Sequence, residues 1–123
     1  DGLGWCRIAK DYVIQAGSPD NDIMTDSDFH IKGEFRENGV DNPLPHIRGA
    51  LSMARDDGFD TAGTQFFVVH KDAHKLDGRY AAFGQMTAGF EVLDAIAAVE
   101  TSGPETWNKP LTMPIIEKIE ILP

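Results

Sequence analysis

Three long polar side chains sit inside otherwise apolar, strand-forming runs: Arg7 in WCRI at 5–8, Gln15 in YVIQAG at 12–17, and Gln65 directly before Phe66 and Phe67. A polar residue in such a run either faces solvent or converges with others on a site. If these converge, one strand face presents a guanidinium, two amides and an aromatic floor. Neither arginine nor glutamine titrates usefully near neutrality, so this set does no covalent or general acid–base chemistry. It can place positive charge and hydrogen bonds against an amide, and that narrows the reaction class.

Other chemistries lack their residues. Gly2-Leu3-Gly4 begins like a dinucleotide loop, but no third glycine follows at the required spacing. Ser52 is not framed by the glycines of a nucleophile elbow. His70 and His74 have a spacing that binds metal on a helix, but His70 ends a predicted strand and Cys6 is the only thiol. Zinc needs several convergent ligands, so both histidines are read as solvated strand-end and loop residues. No metal and no cofactor are expected.

Short strands must carry the polar set. Strands are predicted at 5–9, 12–17, 49–54, 64–70 and 81–86 from β-prone, apolar composition between turn residues. Residues 18–46 are rich in Pro, Asp, Asn and Gly and read as a long irregular excursion with a short strand near 29–31. Residues 55–63 form a polar loop. One helix is predicted over 89–98, with Phe90, Leu93, Ile96 and Ala97 as its apolar stripe and Ser102, Gly103 and Pro104 as its stop. Residues 112–122 alternate in polarity and read as a closing strand. Many short strands with one helix favour a small barrel or sandwich.

Composition fits a single domain over residues 1–123, of which 41% are hydrophobic. No apolar run reaches the roughly 20 residues of a membrane span, and the opening residues are not a signal peptide. The 20 Asp and Glu against 11 Lys and Arg give a formal charge of −9, with the basic residues scattered, so nucleic acid is not an expected partner. The lone cysteine fits a reducing compartment.

Five segments in register, WCR at 5–7, YVIQAG at 12–17, GALSMA at 49–54, AGTQFF at 62–67 and LDGRYAAFG at 76–84, closely resemble the cyclophilins. The resemblance implies a mostly β fold, a closed antiparallel barrel capped by helix, and peptidyl-prolyl cis–trans isomerisation, most like the compact bacterial and cytoplasmic members. It implies Arg7 and Gln15 as catalytic residues, with Gln65 holding substrate backbone and steadying Arg7. Tyr12, Val13, Phe67 and Leu76 would line the proline pocket, with Tyr12 where phenylalanine is usual. Ala54 and Arg55 would line the groove for the extended peptide, with Arg55 in place of a common asparagine. Tyr80 would stand at the pocket rim. The implied partners are proline-containing peptides and client proteins, folded or unfolded. A catalytically weak module that only captures such peptides is the alternative function, and an unrelated barrel would point Arg7, Gln15 and Gln65 in different directions.

The chain also departs from the pattern. Cys6 stands for a histidine, Ala16 for a glycine, and Lys75 for the tryptophan that contributes to cyclosporin binding, so weak or absent cyclosporin affinity is expected. The strands and helix with which the family's domain begins have no counterpart before Asp1, and an N-terminally incomplete barrel is expected.

Overall fold

A computed structural model describes all 123 residues. Five strands, β1 (Arg7–Ala9), β2 (Val13–Ala16), β3 (Ala50–Met53), β4 (Phe66–Val69) and β5 (Ala82–Gln85), form one antiparallel sheet in the order β1-β2-β4-β3-β5. All five fall within the segments predicted as strands. The sheet is open, with β1 and β5 at its edges, so these strands do not close the expected barrel.

Successive residues of a strand face opposite sides, and that parity builds two cores. Val13, Ala50, Phe67 and Val69 pack on one face with Ala73 and Leu76. Ile8, Ile14 and Val68 pack on the other against Leu93 and Ala97 of the helix α1 (Phe90–Ala97). Phe90 and Ile96, also in the predicted stripe, are partly buried against this second core.

α1 ends well before Ser102, the start of its predicted stop. It is tied to the sheet by charge as well as by apolar contact. Arg48 grips Asp94 through both oxygens at 2.7 and 2.9 Å, and its guanidinium lies 5.3 Å from the Phe90 ring centre. His70 completes the tie. Its Nδ1 accepts the Asp11 amide at 2.9 Å, so Nε2 carries the proton and donates to Asp94 Oδ1 at 3.0 Å. The solvated reading of His70 is therefore corrected: the residue is 8% exposed and its ring joins the β1–β2 turn to α1. His74 is exposed as expected and pairs with Asp77.

The closing strand predicted over 112–122 is not formed. Residues 2–5 pair with 114–116 through a single bridge, Gly4 with Ile115, and through the amides of Gly2, Trp5 and Ile116. Pro110 and Pro114 have no amide to donate, and beyond residue 116 no main-chain partner follows, so Ile121 is 91% exposed. The excursion over 18–46 is irregular apart from a 3₁₀ turn at Arg36–Asn38, and the strand expected near 29–31 is reduced to one bridge between Ile31 and Ala62. No helix is long and apolar enough to cross a membrane.

The Arg48 contact, more than that of His70, holds the Asp94 carboxyl down to about 2. A depressed carboxyl stabilises the fold above its unfolded pKa, and that contribution is lost as pH falls through the folded value. Urea midpoints should therefore drop between about pH 4 and pH 2, and less steeply in Asp94→Asn. Equal slopes in the two proteins would remove Asp94 from the acid response.

Candidate functional site

The strand register places the polar residues on one face. Arg7 lies opposite Gln15, and Gln15 lies opposite Phe67. Gln65, two residues before Phe67, shares its parity. Gly17 brings Gln65 within reach: its φ is +95°, and a Cβ there would lie 2.3 Å from the Thr64 carbonyl oxygen. Any larger residue would push the Thr64–Gln65 segment off the end of β2.

The result is a one-way chain of hydrogen bonds. The Gln65 Nε2 group donates to the carbonyls of Ile23 and Thr25, both at 3.2 Å. Its Oε1 must then face Gln15, which donates to it at 2.9 Å. The Oε1 of Gln15 is left to accept Arg7 Nη1 at 3.2 Å. Both amides are thus oriented by two backbone carbonyls in the excursion, and the last acceptor holds the guanidinium. Gln15 is only 7% exposed, where an unpaired amide would be costly. Arg7 also lies 5.9 Å from the Tyr12 ring centre, its Nη2 makes no hydrogen bond, and its buried Nε has no partner.

A cavity of about 660 Å³ opens over this relay. All ten residues singled out in the sequence line it: Arg7, Tyr12, Val13, Gln15, Ala54, Arg55, Gln65, Phe67, Leu76 and Tyr80. The convergent arrangement, not the divergent one, is present. Val13, Phe67 and Leu76 supply an apolar floor. Burial pushes the Tyr12 phenol up despite the Arg7 charge beside it, so the ring stays neutral. Burial likewise raises the Cys6 thiol, which donates to the Gln15 carbonyl at 3.7 Å. Arg55 is held at the rim rather than free. It lies 4.7 and 4.8 Å from the ring centres of Phe35 and Tyr80, and its guanidinium donates to the carbonyls of Arg79 and Asp56 at 2.8 Å.

The sequence reading missed His46. It is fully buried behind Phe67, stacked on it at 6.0 Å and 25°, with Tyr80 edge-on to both rings. Asp77 can only accept as a carboxylate, so His46 Nδ1–H donates to it at 2.9 Å and Nε2 faces the Ser52 hydroxyl at 2.9 Å. Partial burial would raise the Asp77 carboxyl, but hydrogen bonds from the His46 amide and the His74 and His46 rings take it below its usual value. These partners are 6 and 31 residues from His46 in sequence. The only local hint was a histidine in a Pro-rich loop. Trp107, Met24 and Ile23 also line the cavity and were not anticipated.

Three comparisons bear on the site. The family model for cyclophilin type peptidyl-prolyl cis-trans isomerase/CLD matches residues 1–121. Peptidyl-prolyl cis-trans isomerase B of Bacillus subtilis is 40% identical over 91 residues, covering 74% of this chain and 60% of that protein. A Helicobacter pylori peptidyl-prolyl cis-trans isomerase is 38% identical over 98 residues, covering 78% of this chain and 57% of that protein. The chain thus spans less than two thirds of the length of either relative. A Cryptosporidium parvum cyclophilin type isomerase superposes with a TM-score of 0.83 at 26% identity, covering all of this chain and 76% of that one. A second structure of that protein, determined in the presence of the dipeptide Ala-Pro, gives a TM-score of 0.80 at 27% identity, covering 95% and 72%.

Gln65→Glu tests the relay. A carboxylate cannot donate to the carbonyls of Ile23 and Thr25, so stability to urea should fall by about 1–3 kcal/mol. An unchanged midpoint would show that those two hydrogen bonds do not hold the relay.

Proposed function

The chain belongs to the cyclophilin-type peptidyl-prolyl cis-trans isomerases, and we propose that residues 1–123 act as one such domain, isomerising X-Pro bonds in peptides and in folded or unfolded client proteins. The observation that carries this reading is the Arg7 guanidinium, held by one hydrogen bond to Gln15 and exposed to a cavity with an apolar floor. Val13, Phe67, Leu76 and Tyr12 would anchor the proline ring. Gln65 and Ala54 would take the extended backbone, and Tyr80 and Arg55 would bound the rim.

Turning a peptide bond costs about 18–20 kcal/mol because C–N resonance is lost midway. In the twisted state the nitrogen recovers its lone pair and accepts a hydrogen bond that the planar amide cannot. Arg7 would donate there, or to the adjacent carbonyl, more strongly than to either planar form. Such differential binding lowers the barrier, tenfold in rate for each roughly 1.4 kcal/mol. The relay matters because donors that are already aimed need no reorganisation during the reaction. Asp26, Asp56 and Asp57 line the same cavity, which disfavours nucleic acid as a partner. A cytoplasmic setting belongs to the same proposal and rests on Cys6 being a buried free thiol.

Exchange spectroscopy on a short X-Pro peptide measures the activity directly. In Arg7→Ala the catalysed exchange rate should fall by roughly 10²–10³ while peptide affinity stays within a few fold; unchanged turnover would take Arg7 out of the mechanism. Cyclosporin should bind poorly, because the Lys75 ammonium covers the Tyr12 ring at 4.4 Å. A nanomolar dissociation constant in titration calorimetry would refute that.

A further inference from the structure

Trp107 sits on the loop that follows α1. It is 52% exposed and stacks on no other aromatic ring, yet it lines the cavity that holds Arg7. Its backbone lies at φ +58°, ψ +31°, and Asn108 follows at φ +53°. A bulky residue rarely adopts that left-handed conformation, and such outliers concentrate where binding requires them.

The loop around it is nevertheless firmly built. The Asn108 amide donates to Gly103 O at 2.9 Å, the Ser102 amide to Lys109 O at 2.9 Å, and the Ser102 hydroxyl reaches Thr106. The Asn108 carbonyl accepts the Ile8 amide at 3.0 Å, which fastens the loop to the free edge of β1. The loop thus holds an unfavourable backbone at a residue that lines the same cavity as Arg7.

Sheet order sets where the indole lies along a bound peptide. The cavity crosses the sheet from the residues after β3 to β1, three strand spacings of about 4.8 Å, and an extended peptide advances about 3.3 Å per residue. Roughly four residues span that distance. Because the Trp107 loop is hydrogen-bonded to β1 at Ile8, a peptide seated from Ala54 to Arg7 would next meet Trp107, with a residue outside the X-Pro pair.

We propose that Trp107 is a specificity-determining residue that takes an apolar or aromatic side chain flanking the X-Pro pair at the β1 end of the cavity. An aromatic partner suits it better than a cationic one, because the Arg7 charge lies in the same cavity. The inference rests on the isomerase reading and adds a substrate preference to it.

Trp107→Asn provides the test, because asparagine tolerates the left-handed backbone and should leave the melting temperature unchanged or raised. Wild type and variant are titrated with Ala-Ala-Ala-Pro-Ala-Ala and with the same peptide carrying Phe two places before or two places after the proline. One Phe peptide should bind wild type about tenfold more tightly than the all-Ala peptide, as expected for an aromatic pair plus its buried area. Trp107→Asn should lose that gain, leaving its affinities for the Phe peptides within a few fold of its affinity for the all-Ala peptide. The inference is overturned if neither Phe peptide gains affinity, if the variant keeps the gain, or if the variant weakens all three peptides alike. If wild type isomerises none of them, the isomerase reading fails first, and this preference with it.

Discussion

The structure turns on one buried amide. Gln15 sits in an interior strand with almost no access to water, so both ends of its side chain must find partners within the protein. The amine end finds Gln65 and the oxygen end finds Arg7. Neither choice is free, because the carbonyls of Ile23 and Thr25 set the orientation of Gln65 and that orientation passes along the chain. The long excursion after β2 is thus part of the site without supplying a reactive group. Its backbone decides which way two amides point, and they decide where a guanidinium rests. Both amides of this buried network are satisfied at each end, whereas Arg7, at the end of the chain, keeps a buried Nε without a partner.

The apolar half of the cavity is held by a second, independent device. Phe67 is packed from behind by the His46 ring, itself fixed at one nitrogen by Asp77 and at the other by Ser52, and Tyr80 closes on both rings from the side. The floor and the guanidinium therefore approach the same volume from two networks that share only the sheet between them. β2 and β4, side by side in the middle of that sheet, carry Gln15 and Phe67 as direct partners. Movement of either strand would disturb both networks at once.

Much of this was legible because β-structure obeys a parity rule. Arg7, Val13, Gln15, Gln65 and Phe67 are odd-numbered members of short strands or lie beside them, and the alternation that buries Ile8, Ile14 and Val68 against α1 must send the first set to the other face. Where a property depended on contacts distant in sequence, local reading failed. His70 looked like a strand-end residue in water because nothing nearby reveals Asp94 or the Asp11 amide. His46 was passed over for the same reason. Residues 112–122 show the converse error. Their alternation is real, but a strand needs donors and a partner as well as a pattern, and Pro114 and the lack of pairing beyond Ile116 deny it both.

The two ends of the cavity follow from this division. At the β3 end Arg55 is immobilised by aromatic rings and backbone carbonyls, so its charge is a fixed wall and not a mobile arm. At the β1 end the loop over 102–109 satisfies its own polar groups and touches the sheet through a main-chain hydrogen bond to β1. Neither rim contributes a donor or an acceptor to the Arg7–Gln15–Gln65 relay. Side chains on the rims can therefore change without reorienting the guanidinium, whereas a change at Gln15, Gln65 or Gly17 cannot. The rims and the relay are in this way physically separable in one small sheet, the first residing in loops and the second in buried amides.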